Sequence, residues 1–160
     1  ITGTNLKYEP RRRQDVDSVF IAATPKQARL IRPQLKFHRA SDIPVFATSR
    51  VFSGILRPQT DQDLNGIGFV DIPWLLSDNR SIIRNDLEEH WPERMQRYIR
   101  LFALGYDSYR LVQQLPKLRF NPGYKLTGAT GKLYLSTNRI HRELDFSKFV
   151  NGIPDQLADQ

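Results

Sequence analysis

An α/β fold is the class that the first half of the sequence predicts, and three observations predict it. Segment 18–23 is a short, nearly continuous run of apolar residues, typical of a strand buried on both faces of a parallel sheet. Strand-like segments recur at 43–48 and 67–72, with helical patterns between them. The 160 residues, 39% hydrophobic and 26% charged, are sufficient to bury one core. The alternation predicts a parallel sheet with right-handed crossovers.

The first predicted helix begins at Pro25. Thr24 is a good N-terminal cap, and proline suits the first helical position because its missing N–H is not needed there. Apolar residues follow at helical spacing, and we expect Pro33 to kink or restart the helix. A loop and a short helix around 57–64 then lead to the third strand.

Two further helices follow an interruption of the alternation at 73–78. Helical patterns at 82–91 and 92–115 predict them. The second carries so wide an apolar surface that we expect it to be covered on more than one side. The residues of this surface are Met95, Ile99, Phe102, Tyr106 and Tyr109, widened by Leu101, Leu104, Leu111, Val112 and Leu115.

The pattern changes again after Pro116. Strand-like segments at 123–128, 131–135 and 140–150 are separated by glycine and Ser-Thr-Asn turns, which predicts a β-hairpin or a meander. The last residues, 155–160, are expected to form a frayed end.

Residues suited to covalent or metal chemistry are scarce. The absence of cysteine excludes disulfides, thiolate metal sites and a cysteine nucleophile. His38, His90 and His141 lack metal-ligand spacing, and neither 66–68 nor 131–132 completes a glycine-rich nucleotide motif. No serine-nucleophile motif occurs either. We therefore expect no catalytic residue, no metal and no cofactor. Apolar stretches of four or five residues are far short of the roughly 20 that span a bilayer.

The net charge of +7 permits an anionic partner without requiring one. The arginines at 11–13, and the group Arg94, Arg97 and Arg100, are candidates for a nucleic acid patch. Acidic residues adjoin the second group, and no basic strand interleaved with aromatic residues supports it. We expect no nucleic acid partner.

A candidate ligand cleft lies at the carboxyl ends of the predicted strands, where open α/β sheets bind ligands. Arg50 follows the second strand and could hold an anionic group while hydroxyl groups orient it. Capping and loop hydrogen bonds explain Thr24 and Ser49 equally well. The candidate cleft residues are Thr24, Ser49, Arg50, Asp71, Tyr106 and Asp107.

Several segments together resemble the C-terminal domain of the LpoA (LppC) outer-membrane lipoprotein family. The most specific are GYDSYRL at 105–111 and LTGATGKL at 126–133. The other segments are 17–25, 27–33, 47–50, 71–74 and 100–104. The resemblance covers about 15–152, nearly the whole chain.

The resemblance implies the type I periplasmic-binding-protein fold, with two α/β lobes of parallel sheets flanked by helices. Residues 1–72 would belong to the second lobe, 73–124 would be a crossover and first-lobe helices, and 125–160 would be returning strands and a tail. The first-lobe strands and the family's lipidated cysteine have no counterpart here, and the chain opens on Ile1. We therefore expect an incomplete, C-terminal portion of a longer protein.

The resemblance also implies a non-catalytic regulator on the periplasmic face of the outer membrane. Such a protein would bind and stimulate a bifunctional class A penicillin-binding protein in peptidoglycan synthesis, and would meet the membrane only through a lipid anchor outside this sequence. The alternative is a small-ligand receptor that uses the cleft between the lobes. A cell-wall hydrolase is disfavoured because the sequence offers no nucleophile or metal set.

Overall fold

The computed structural model describes residues 14–77 and 81–156, which form two sheets and four α-helices. The five-stranded sheet has the order β1-β2-β3-β7-β8, and the three-stranded sheet has the order β4-β5-β6. The strands are β1 (Val19–Ile21), β2 (Val45–Ala47), β3 (Ile67–Asp71), β4 (Leu126–Thr127), β5 (Lys132–Ser136), β6 (Arg139–Glu143), β7 (Asp145–Val150) and β8 (Ile153–Gln156). The α-helices are α1 (Pro25–Phe37), α2 (Pro73–Leu76), α3 (Ile82–His90) and α4 (Pro92–Phe120).

The predicted α/β order of the first half is confirmed. Strands β1, β2 and β3 are parallel neighbours, whereas β7 and β8 join the same sheet in antiparallel orientation, so the sheet is mixed. Two short 3₁₀ helices lie in the connections, Ser49–Val51 and Asp61–Leu64, and the second falls within the predicted 57–64 segment.

One face of the large sheet holds the main core. Val45 pairs with Ile67 across β2 and β3, and both are buried there with Ala28 of α1. The rings of Phe69 and Phe149 stack with centroids 5.0 Å apart, which joins β3 to β7. Since side chains alternate along a strand, the neighbouring residues point to the other face. On that open face the exposed apolar side chains are Phe20, Phe46, Val70, Phe146 and Val150.

Helix α1 begins as predicted but does not break at Pro33. The Gln27 Oε1 accepts hydrogen bonds from the Thr24 N–H and hydroxyl, which secures the helix start. One continuous helix runs to Phe37. Proline cannot donate one of the helical backbone hydrogen bonds. Burial of Ala28 and Arg32 against the rest of the molecule offsets that loss.

Helix α4 extends past its predicted end at 115. Pro116 leaves only the Val112 carbonyl without its helical donor, and Val112 is 76% exposed, so water can satisfy that oxygen. Tyr98 has non-helical dihedral angles, which mark a kink. Met95, Ile99 and Ala103 are buried, so the described residues cover only one side of the wide apolar surface expected here.

The strands after Pro116 differ from their predicted bounds. The segment 140–150 divides between β6 and β7, because β7 leaves the small sheet to pair with β3. The frayed end predicted from Asp155 is wrong for its first two residues: Asp155 and Gln156 pair with β7. Ser147 Oγ donates to the Asp155 carbonyl at 3.0 Å, which helps to hold β8 in place. None of the described helices is both long enough and apolar enough to cross a bilayer.

Candidate functional site

Asp71 ends β3 at the predicted cleft edge, where it is buried and paired. Arg100 of α4 donates from Nε to Asp71 Oδ1 at 3.0 Å and from Nη2 to Asp71 Oδ2. The same Nη2 reaches the carbonyls of Ser49 at 3.2 Å and Phe52 at 3.0 Å. Arg100 thus ties the long helix to the carboxyl ends of β2 and β3, and the Asp71 carboxylate is occupied by this contact.

Asp107 has a comparable role on the next turns of α4. Its carboxylate accepts the N–H groups of Ala129 at 2.8 Å and Thr130 at 2.7 Å, and the Thr130 hydroxyl at 2.6 Å. A Cβ on Gly128 would lie 2.5 Å from Asp107 Oδ2, so only glycine allows the turn this close. The segments 105–111 and 126–133, which carried much of the sequence resemblance, therefore contact each other.

Of the other four predicted cleft residues, Ser49 contacts the same guanidinium as Asp71. Thr24 caps α1, Ser49 contributes its carbonyl to Arg100, and Tyr106 stacks on Trp74 with ring centroids 5.4 Å apart. Arg50 is exposed, with no hydrogen bond or ion pair to the described residues. Of the six candidates, the structure thus brings Ser49 and Asp71 together through Arg100.

Two adjoining cavities do lie beside the segments that follow β2 and β3. Their volumes are about 400 and 490 Å³, within the range of small-ligand pockets. Both are lined by Gly54, Leu75, Arg84 and Gln96, and by none of the six predicted residues. These cavities are ligand-sized and lie between α2, α3 and α4.

Sequence reasoning missed Arg84. Ser81 caps α3 by accepting the Arg84 N–H at 3.3 Å, and the buried guanidinium donates from Nε to Glu88 Oε1 at 2.9 Å. An i,i+4 pair of this kind is typical of exposed helix surfaces, so its spacing gave no signal of burial.

Within the described ranges, the arginines and the metal-ligating residue types that the sequence singled out make separate contacts. No group of three or more His, Cys, Asp or Glu side chains there could hold a metal ion. The arginines at 11–13 lie outside the described residues. The second arginine group does not act as one patch, because Arg100 is paired with Asp71 and Arg97 lies over the Tyr98 ring, 5.3 Å from its centroid.

Comparison with protein families gives a match over nearly the whole chain. A model of the family described as "LppC putative lipoprotein" matches residues 1–152. The "Penicillin-binding protein activator LpoA" of Vibrio antiquarius is 36% identical over 147 residues, which are 89% of this chain and 24% of that protein. The corresponding protein of Photobacterium profundum is 30% identical over 156 residues, 94% of this chain and 25% of that protein. The chain spans about a quarter of the length of these relatives.

Solved structures support the same fold. The LpoA C-domain of Haemophilus influenzae, described as a regulator of PBP1A, has a TM-score of 0.74 at 24% identity, over 92% of this chain and 46% of that one. A "putative branched-chain amino acid ABC transporter" from Rhodospirillum rubrum has a TM-score of 0.57 at 15% identity, over 88% of this chain and 44% of that one. These likenesses confirm the predicted α/β fold of the periplasmic-binding-protein type.

Proposed function

The chain belongs to the LppC lipoprotein family, and we propose that it is part of a regulator that binds and stimulates a bifunctional class A penicillin-binding protein in peptidoglycan synthesis. The observation that carries the proposal is the family match over residues 1–152, together with relatives of 30–36% identity that are named as penicillin-binding protein activators. A lipoprotein family implies a place in the cell envelope. We assign the protein to the periplasmic face of the outer membrane, held by a lipid anchor outside this sequence.

The side-chain contacts support a binding role without catalysis. Asp71 and Asp107, the two carboxylates of the predicted cleft, are buried and hydrogen-bonded to Arg100 and to the turn at 128–131. A general acid or base needs a reacting proton within reach, and neither carboxylate has an open side toward a cavity described above. Both act instead as fixed links between elements.

We also propose the lobe assignment implied by the resemblance. Residues 1–72 form a βαβ portion of the second lobe, 73–124 form the crossover and first-lobe helices, and 125–160 return to the second lobe. The pairing of β7 with β3 supports this assignment, since it brings the chain back to the first three strands after α4 and the small sheet.

The test uses the protein that contains this chain and a purified class A penicillin-binding protein from the same source. Binding is measured by pull-down, while glycan polymerisation and peptide crosslinking rates are measured in parallel. We expect binding and an increase in at least one of the two rates. No binding together with unchanged rates would contradict the proposal.

A small-ligand receptor is the second candidate function, favoured by the two cavities of about 400 and 490 Å³ beside Arg84. Gln96→Ala separates the two functions, because Gln96 lines both cavities and is exposed, so its loss should leave the core unchanged. In a receptor, we expect the variant to lose small-ligand binding. In a regulator whose partner contacts its outer surface, we expect the variant to activate the penicillin-binding protein as strongly as the unchanged protein does.

Small-ligand binding and activation of the penicillin-binding protein are measured separately, so each can be lost without the other. Loss of activation by Gln96→Ala with unchanged thermal stability would place the partner contact at the cavities and contradict a contact on the outer surface. Gln62→Ala serves as the matched control, since Gln62 is also an exposed glutamine and lies in the 3₁₀ helix Asp61–Leu64, outside the lining of both cavities.

A further inference from the structure

A third cavity lies at the opposite end of the parallel strands, where β2 and β3 begin. Its volume is about 340 Å³. Strand β7 runs antiparallel to β3, so Lys148 lies opposite Gly68 and contributes to the same wall. The residues of the lining used below are Arg32, Asp42, Phe46, Gly66, Phe146 and Lys148. No proposal made above uses this cavity.

Arg32 is the unusual side chain of this cavity. It is only 7% exposed, and its Nη1 is buried without a hydrogen-bond partner among the described residues. Its Nε has a long contact, 3.4 Å, to the Asn65 carbonyl. Burial lowers the pKa of the Arg32 guanidinium because the protein interior disfavours its charged form. A buried cation is costly unless it has a partner, and a carboxylate in the cavity that Arg32 lines would lower that cost.

The backbone leaves room for the guanidinium. Gly66 has φ +89°, and a Cβ there would lie 3.0 Å from Arg32 Nη2. Glycine therefore serves two requirements at this position, a left-handed backbone conformation and a close approach of the arginine. A larger residue would push the guanidinium away from the position in which it lines the cavity.

The other walls supply a second cation and an aromatic surface. Lys148 lies on the open face of the sheet, and the Asp42 carboxylate, which has an interaction of its own, is the acidic group of the lining. The rings of Phe46 and Phe146 have centroids 6.4 Å apart. Among these lining residues, two side chains are cationic and one is a carboxylate, so the net charge is positive. Two flat apolar rings belong to the same lining.

We propose that this cavity binds a small carboxylate that bears a planar apolar ring. Arg32 and Lys148 hold the carboxylate, because a guanidinium and a carboxylate form parallel charge-assisted hydrogen bonds. Phe46 and Phe146 contact the ring through the offset or edge-on arrangements that aromatic pairs favour. This inference does not depend on the regulator function proposed above.

The test is calorimetric titration of the protein that contains this chain with benzoate, benzamide and inorganic phosphate. Benzamide matches benzoate in shape and lacks the charge, whereas phosphate has the charge and lacks the ring. We expect benzoate to bind at least about tenfold more tightly than either. Equal affinity for benzoate and benzamide, or no binding of benzoate, would overturn the proposal. The second result would mean that water or another part of the protein satisfies Arg32.

Variants locate the site without disturbing the buried arginine. Lys148→Ala should weaken benzoate binding about tenfold, and Phe146→Leu should weaken benzoate more than phosphate. Lys26→Ala, which removes an exposed cation at the other end of α1, should change neither affinity. Unchanged benzoate binding by Lys148→Ala would place the ligand elsewhere and overturn the assignment. Activation of a penicillin-binding protein is measured on the same variants. That result tests the regulator function and does not affect the ligand-site proposal.

Discussion

Asp107 links α4 to the turn at 128–131, and its removal is the sharpest test of a single residue. Asp107→Ala would leave two buried N–H groups and the Thr130 hydroxyl without an acceptor, so we expect a loss of about 3 kcal/mol in the free energy of unfolding. Asp107→Asn retains one acceptor oxygen and should lose less. Urea unfolding of the protein measures both changes. The neighbouring exposed Ser108→Ala is the control, and an equal effect there would contradict this role of Asp107.

Two glycines offer a matched pair of substitutions with opposite expected signs. A Cβ on Gly128 would meet the Asp107 carboxylate, so Gly128→Ala should destabilise the protein by roughly 1–3 kcal/mol. Gly105 lies within α4 with open space around it, and alanine is the better helix former there. Gly105→Ala should therefore stabilise the protein by up to about 1 kcal/mol. Thermal unfolding measures the change in stability for each variant. If both variants change stability in the same direction, the expected opposite signs are wrong.

The buried charges show what the sequence predicts of single residues. Asp71 was correctly expected at the carboxyl end of β3, because that position follows from one local strand pattern. Its partner Arg100 is 29 residues away on α4 and was interpreted as part of a basic cluster. The hydrogen bond depends on how the helix packs on the sheet, and no local pattern contains that information.

At the scale of an element, an ion pair in the small sheet links Lys125, which precedes β4, to Glu143 of β6. Lys125 Nζ donates to Glu143 Oε1 at 2.7 Å, and this bond raises the pKa of Lys125 above its ordinary value of 10.5. A raised lysine pKa stabilises the folded state fully below the unfolded pKa. That stabilisation is lost as the pH rises through the folded pKa. We therefore expect the ion pair between Lys125 and Glu143 to weaken only above about pH 10.5.

Nuclear magnetic resonance titration of the Lys125 side chain measures this shift. Glu143→Gln removes the carboxylate, and the Lys125 pKa should fall back toward 10.5. Glu89→Gln removes an exposed carboxylate of α3 and should leave the Lys125 pKa unchanged. If Glu143→Gln leaves the Lys125 pKa unchanged, the hydrogen bond is not the cause of the raised pKa.

Element types followed from local patterns, whereas element ends did not. The apolar runs of β1, β2 and β3 and the caps of α1 were sufficient to predict these elements. The sequence predicts a kink or restart at Pro33 and a helix end at 115, before Pro116, yet both prolines lie inside a helix. One missing N–H destabilises a helix, but packing along the whole helix can outweigh that loss. The split at Leu144 depends on β7 pairing with β3, which is distant in sequence.

At the scale of the whole molecule, two apolar surfaces have no cover within the described residues. One is the open face of the large sheet, which exposes Phe20, Phe46 and Phe146. The other is the outer side of α4, where Leu101 is 63% and Val112 is 76% exposed. The chain aligns with only 46% of the solved LpoA C-domain, so that domain contains further polypeptide that can cover the outer side of α4.

We therefore expect this chain alone to bind hydrophobic dyes and to aggregate, and a longer protein that includes the rest of the family's C-domain to unfold cooperatively. Replacing Leu101 and Val112 together with glutamine should improve the solubility of the isolated chain, since both side chains are exposed in it. In the longer protein the same change should destabilise by roughly 1.5–3 kcal/mol for each side chain that becomes buried. Leu118→Gln is the control, because Leu118 is already buried and should destabilise both forms. A sharp, reversible melt of the isolated chain, or a double variant that is neutral in the longer protein, would mean that the outer side of α4 faces solvent in both.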